Sequence, residues 1–175
     1  MSEHGVWAFT IQLQTDPHVI RAVRKVIAAT ARIGGARDAD ARLIELSVGE
    51  ALANARLHAY QSGVGPIEAT VTMDGEMFSV EIQNAGKPVT GGPRVPDTLD
   101  PPESQRWGLY LLGRIMDEVE ITRSKLDDRG TAIRMAKRLT ASPRGDPGVE
   151  EAGTDPLNGS LESCIGVMGR CEITQ

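Results

Sequence analysis

Apolar and polar residues alternate at the start of the chain. Trp7, Phe9, Ile11 and Leu13 point one way in residues 6–13, which predicts a half-buried strand. Asp16-Pro17 follows, a helix start with Asp as N-cap and Pro in the first turn. Ile20, Val23, Ile27 and Ala31 recur at helical spacing until Gly34-Gly35 stops them. A second helix is predicted from about Asp38 to Tyr60, with the stripe Ile44, Val48, Leu52, Ala55 and Ala59, closed by Gly63 and Gly65-Pro66. Two strands come next. Ile67, Ala69, Val71 and Met73 share a face of the first, Phe78, Val80 and Ile82 a face of the second, and Asp74-Gly75 is the hairpin signal between them.

Residues 85–105 are rich in Gly and Pro, which defeats helix and strand alike. A segment that long inside a compact domain reads as a lid or as disordered. A third helix is expected over Trp107–Met116, a strand at Val119 and Ile121, a turn at Asp127-Asp128-Arg129-Gly130, and a last strand over Thr131–Lys137. The order β-α-α-β-β-loop-α-β-β predicts an α+β fold: a two-layer sandwich with a mixed, mostly antiparallel sheet and helices on one face. Residues 1–140 form the expected domain, and 141–175 an acidic, Pro/Gly-rich tail expected to be disordered.

Charge sharpens that division. The net charge is −5. Beyond Thr140, Arg144 and Arg170 stand against Asp146, Glu150, Glu151, Asp155, Glu162 and Glu172, a balance of −4 that leaves −1 for residues 1–140. Without a basic excess, direct nucleic-acid binding is not expected. Aromatics are only 3% of residues, so the core must rest on Ala, Val, Ile and Leu. The two cysteines, Cys164 and Cys171, cannot build a disulfide framework or a four-ligand zinc site. No signal-peptide pattern and no apolar run near the ~20 residues of a membrane span is visible. The expected location is cytoplasmic, away from membranes.

Four short pieces could carry chemistry. Glu50 and Asn54, four apart, stand on one helix face, about 40° apart around the axis. Leu43, Leu46, Ala53 and Leu57 share that side, so the polar pair is set in an apolar surround, as at the floor of a cleft. Asn84-Ala85-Gly86 lies where a strand leaves the sheet; a polar side chain there can read a base edge, and glycine admits a flat ring. Arg106-Trp107-Gly108-Leu109 opens the third helix, whose first N–H groups can face phosphate oxygens. Gly130-Thr131 enters the last strand. Taken singly, these pieces are better read as a solvated polar pair, a strand-ending turn, a plain helix start and a hairpin turn.

Their order and intervals change that. The run Glu45–Tyr60, containing Glu50, Asn54, His58 and Tyr60, resembles the N box of the GHKL ATPase superfamily, and within it the anti-sigma-factor serine kinase branch. Asn84-x-Gly86, Trp107-Gly108-Leu109 and Gly130-Thr131 resemble its three later boxes, and the resemblance covers about residues 5–139. It implies the Bergerat fold, with ATP and Mg²⁺ between the helices and the lid. It implies Glu50 as general base, Asn54 as the Mg²⁺ ligand, Gly108 and Leu109 amides on phosphates, and Asn84, Gly86 and Thr131 at the adenine. His58 is read as structural. The implied partners are a STAS-domain anti-anti-sigma protein as phosphate acceptor and a sigma factor, with a possible homodimer. Two positions depart from the pattern: Asn84 replaces the usual Asp, and Arg106 replaces the third box's first glycine. They leave room for a partner-binding module that catalyses poorly. A detached histidine-kinase ATPase domain is a further alternative, although only His4 and His18 precede the second helix and neither lies in a dimerisation helix pair.

Overall fold

The computed structural model describes residues 6–88, 95, 107–127 and 129–139. These lie in the first of the two units into which the chain divides, Met1–Arg144 and Gly145–Gln175. The expected tail, both cysteines, Arg106 and most of the expected lid lie outside the described residues.

Strand β1 (Trp7–Gln14) buries its odd residues more deeply than its even ones, as the alternation predicts. Helix α1 (Pro17–Ile33) begins with Asp16 in extended conformation; its Oδ1 accepts from the N–H groups of His18 at 2.8 Å and Val19 at 3.1 Å. The bonds from Val19 and then His18 hold the Asp16 carboxyl below its ordinary value. At the other end, Gly34 N–H returns to Thr30 O at 2.9 Å and Gly35 takes a φ of 100°, which favours glycine.

Helix α2 (Asp38–Asn54) buries Ile44, Val48, Ala51 and Leu52. The expectation of one regular helix to Tyr60 is corrected. After Asn54 the backbone widens into a π-helical turn, Ala55–Ala59, and Gln61 and Ser62 then take positive φ angles of 51° and 64°. The apolar positions Ala55 and Ala59 stay buried through the change, so hydrophobic spacing alone gave no sign of it.

β2 (Pro66–Asp74) and β3 (Met77–Asn84) form a hairpin in which Asp74 pairs with Met77. The turn residues are thus Gly75 and Glu76, and Gly75 carries a φ of 59°. Helix α3 (Trp107–Ile115), β4 (Glu118–Arg123) and β5 (Thr131–Arg138) complete the fold.

The sheet has five strands in the order β1-β2-β3-β5-β4. The expected mixed, mostly antiparallel sheet is corrected in one respect: every pairing among the described residues is antiparallel. The β3-α3-β4 crossover sets β3 and β4 parallel to each other, but β5 inserts between them and pairs with both. One face of the sheet carries Leu13, Ile67, Ala69, Val71, Met73, Phe78, Val80, Ile82, Ile133 and Met135, which join the buried residues of all three helices in a single core. The opposite face carries polar pairs such as Thr10–Thr70, whose hydroxyls lie 3.0 Å apart. This is the expected two-layer α+β sandwich, built from aliphatic side chains each worth about 1.5–3 kcal/mol on full burial.

Candidate functional site

Helix α2 presents Glu50 and Asn54 one turn apart, both half-buried. Glu50 faces the start of α3. A Cβ placed on Gly108 would lie 2.7 Å from Glu50 Oε2, so a side chain here would push the end of the Glu50 side chain aside. The first N–H groups of an α-helix have no partner within it, and the N-terminus carries partial positive charge. Leu109 is buried, only 3% exposed, so its side chain serves the core and its backbone N–H is what it can offer. The apolar surround expected of the polar pair is open to solvent: Leu43, Leu46 and Leu57 are 37%, 43% and 49% exposed.

Beyond Asn54 the π-helical turn redirects the chain. Tyr60 N–H bonds Ala55 O at 3.1 Å and Ser62 N–H bonds Arg56 O at 2.8 Å. Such turns recur at functional sites. This one delivers Tyr60 between two strand ends: its hydroxyl donates to Pro66 O at 2.6 Å and accepts from Ala85 N–H at 2.8 Å. Burial pushes the Tyr60 hydroxyl above its ordinary value of 10.0, the Ala85 bond opposing it. Lys87 N–H bonds Ala59 O at 2.9 Å. Tyr60 and Ala59 together fix where Asn84, Ala85 and Gly86 leave the sheet.

Asn84 ends β3 on the core-facing side, two residues beyond Ile82, and is 2% exposed. Its Oδ1 accepts from Gly86 N–H at 3.1 Å. The register that pairs Gln83 with Ala132 places Asn84 alongside Thr131, itself buried. A Cβ on Gly86 would lie 2.5 Å from Ala59 O, so glycine is needed for strand end and helix end to meet. A Cβ on Gly130 would collide with Asn84 O and Ser124 Cβ. Gly86 and Gly130 thus have packing reasons of their own.

Gln83 faces the other side of the sheet and is buried at 5% exposure. Its Oε1 accepts from Lys125 N–H at 2.8 Å, with Ser124 Oγ at 3.4 Å, which pins the β4–β5 connection so that Gly130 rests on Asn84. Gln83 and Tyr60 position the site, and neither role was readable beforehand. The Asn84–Gly86 and Gly130-Thr131 pieces were legible from the sequence; the groups that clamp them together sit on the opposite sheet face and after the helix.

The structure therefore makes two meeting points. One is Glu50 against Gly108, with Asn54 a turn further along α2. The other is Asn84, Gly86, Gly130 and Thr131 at the adjoining ends of β3 and β5. A cavity of about 430 Å³ lies elsewhere, lined by Gln12, Leu13, Gln14, Pro66, Ile67, Glu68 and Leu126, and none of the candidate residues borders it. No group of three His, Cys, Asp or Glu able to hold a metal occurs among the described residues. A hard cation here would draw on Asn54 Oδ1 and ligand oxygens, the donor chemistry that Mg²⁺ accepts. Among the described residues no helix is long and apolar enough to cross a membrane.

The described residues thus form an α+β sandwich that sets a polar helix face beside the start of a second helix and buries Asn84 and Thr131 at adjoining strand ends. Residues 13–137 match the histidine kinase-like ATPase domain. The chain belongs to that family, a GHKL-type ATP-binding domain. A comparison with curated proteins found no match.

Proposed function

We propose that the chain is an ATP- and Mg²⁺-dependent serine/threonine protein kinase of the anti-sigma type. It phosphorylates a STAS-domain anti-anti-sigma protein and binds a sigma factor, in the cytoplasm and as a possible homodimer. The observation that carries this reading is the packing of Glu50 Oε2 against Gly108 at the start of α3. It brings a carboxylate beside a cluster of backbone donors.

In that arrangement the Gly108 and Leu109 N–H groups hold phosphate oxygens. Asn54 offers its amide oxygen to Mg²⁺. When bound, Mg²⁺ neutralises charge on the phosphates. Glu50 accepts the proton of the substrate hydroxyl as that oxygen bonds to the γ-phosphorus and ADP leaves, a general-base contribution of about 10²–10⁴-fold. Asn84, Gly86 and Thr131 contact the base.

Purified protein with labelled Mg²⁺-ATP is expected to label a STAS-domain substrate. Glu50→Gln is expected to lower labelling at least ~100-fold while nucleotide still binds. Unchanged labelling by that variant contradicts the role of Glu50. Asn84, in place of a carboxylate, favours a second reading: a binding module without useful turnover. Tight sigma or STAS binding with no nucleotide binding in calorimetry selects it.

A further inference from the structure

The two edges of the sheet are built differently. β4 closes one of them with Glu118, Glu120 and Arg123 among its six residues. Charges of that kind keep an edge strand from pairing with another chain. β1 closes the other edge with eight residues, Trp7–Gln14, that include no charge, no proline and no glycine. Among the described residues β1 pairs with β2 alone. The register shows which of its backbone groups that pairing leaves over. Thr15 N–H donates to Gly65 O at 3.1 Å, one step beyond the Gln14–Pro66 pair. The odd residues of β1 therefore bond to β2, and Ala8, Thr10, Gln12 and Gln14 turn their N–H and C=O groups outward.

Side chains leave the same flank unfinished. Trp7, Phe9 and Ile11 pack against the core but are only half-buried, with the Trp7 and Phe9 rings stacked at 6.2 Å. α1 is the outer helix on this side: it packs on α2 and β1, while α2 packs on α3 and β3. Arg24, paired with Glu45, marks the side of α1 that meets α2. About 140–180° around the axis from Arg24 stand Val19, Val26 and Ile33, which are 40%, 49% and 86% exposed. Ala22 and Ala29 lie beside them, also exposed, so this flank of α1 is an uncharged stripe.

An unpaired strand and an uncharged helix flank, side by side, are set to continue both layers of the sandwich into a neighbour. A second copy fits because the edge complements itself. In a two-fold antiparallel pairing centred on Thr10, Ala8 meets the partner's Gln12 and Thr10 meets the partner's Thr10. Each such pair exchanges two backbone hydrogen bonds. Phe9 then faces the partner's Ile11, and Trp7 the partner's Leu13, on the helix side of the sheet. No charge on β1 is set against a like charge, because β1 carries none.

We propose that two copies of this chain pair through β1, merging their five-stranded sheets into one and setting α1 against α1 along Val19, Val26 and Ile33. This gives the homodimer of the reading above its surface, and in that sense rests on it. The argument itself uses only β1 and α1, and Glu50, Gly108, Asn84 and Thr131 all lie on other elements.

Sedimentation of the full chain, joined to hydrogen exchange, tests this. The expected result is a dimer at micromolar concentration in which the Ala8, Thr10 and Gln12 amides are protected. Thr10→Lys sets two like charges face to face and is expected to raise the dissociation constant about 100-fold. Thr10→Asp should do the same, and an equimolar mixture of the two variants should dimerise again, because Thr10 faces its own copy. A monomer at every concentration in the unaltered chain overturns the proposal. So does a dimer that both variants leave intact, which would form elsewhere, and so does protection of those amides in a monomer, where another part of the chain would cover β1. Should a variant fail to fold, the mass and exchange pattern of the unaltered chain still decide. Dimerisation through β1 without any nucleotide binding would overturn the kinase reading and leave this inference standing.

Discussion

Helices α1 and α2 are each 17 residues long and lie in one layer, yet they are built by opposite rules. α1 starts on the Asp16 cap with Pro17 in its first turn and ends at Gly34-Gly35. α2 starts at Arg37 with no side-chain cap bond, buries the Ser47 hydroxyl without a partner among the described residues, and runs from Asn54 into a π-helical turn. The two are joined by Arg24, which pairs with Glu45 at 3.6 Å and lies over Gly49, where an added Cβ would be 3.4 Å from Nη1. The helix whose local rules all agree is scaffold. The helix that breaks them carries Glu50 and Asn54, and departures from local consistency gather where function is expected.

The contrast concerns local rules and not burial. Ile27 in α1 and Ile44 in α2 are both 0% exposed. Ile27→Ala and Ile44→Ala should each cost about 3 kcal/mol, read from urea denaturation midpoints. A loss in α1 with none in α2 would show that α2 is not part of the core.

Tyr60→Phe gives the next largest effect. It removes the donor to Pro66 O and the acceptor for Ala85 N–H, a loss of about 2 kcal/mol. The variant also has a pH signature. The Tyr60 hydroxyl is raised above 10.0 mainly by burial. The unfolded chain ionises this group near pH 10 and the folded chain only higher. Its contribution is therefore full below pH 10 and is lost as pH rises through the folded value. The unaltered protein should lose stability in that alkaline range, and Tyr60→Phe should remove that part of the slope. Equal slopes would place the hydroxyl outside the fold's energetics.

Ser47→Ala should act the other way, by the smallest amount. Ser47 Oγ is buried with no hydrogen-bond partner among the described residues, and an unpartnered buried hydroxyl costs about 1–3 kcal/mol. Removing it should stabilise α2 by roughly 1 kcal/mol, seen as a higher melting temperature. A lower melting temperature would mean that the hydroxyl has a partner after all.

Most of α1 and the sheet could be read from the chain, because each rests on a local signal. The period-two alternation of Trp7, Phe9, Ile11 and Leu13, the Asp16-Pro17 start and the Asp74-Gly75 turn are of that kind. Glu50, Asn54, Asn84, Gly108 and Thr131 were picked out by the resemblance of their boxes, in order and interval, to those of the GHKL family, and the fold brings Glu50 to Gly108 and Asn84 to Thr131. The π-helical turn was hidden because Ala55 and Ala59 suit either helix. The all-antiparallel sheet was hidden because the crossover from β3 to β4 gives no hint that β5 will insert between them. The roles of Tyr60 and Gln83 depend on carbonyl and N–H groups that are distant in sequence, Pro66 and Ala85 for the one and Lys125 for the other. No spacing rule reaches those.

The central claim is that α2, the start of α3 and the joined ends of β3 and β5 form one nucleotide site. The most direct measurement is an NMR titration of the labelled chain with Mg²⁺-ADP, followed at backbone amides. Selective shifts at Asn54, Gly86, Gly108, Leu109 and Thr131 are the predicted result. Shifts confined to Gln12–Gln14 and Pro66–Glu68, around the 430 Å³ cavity, or no shifts at saturating nucleotide, would contradict it.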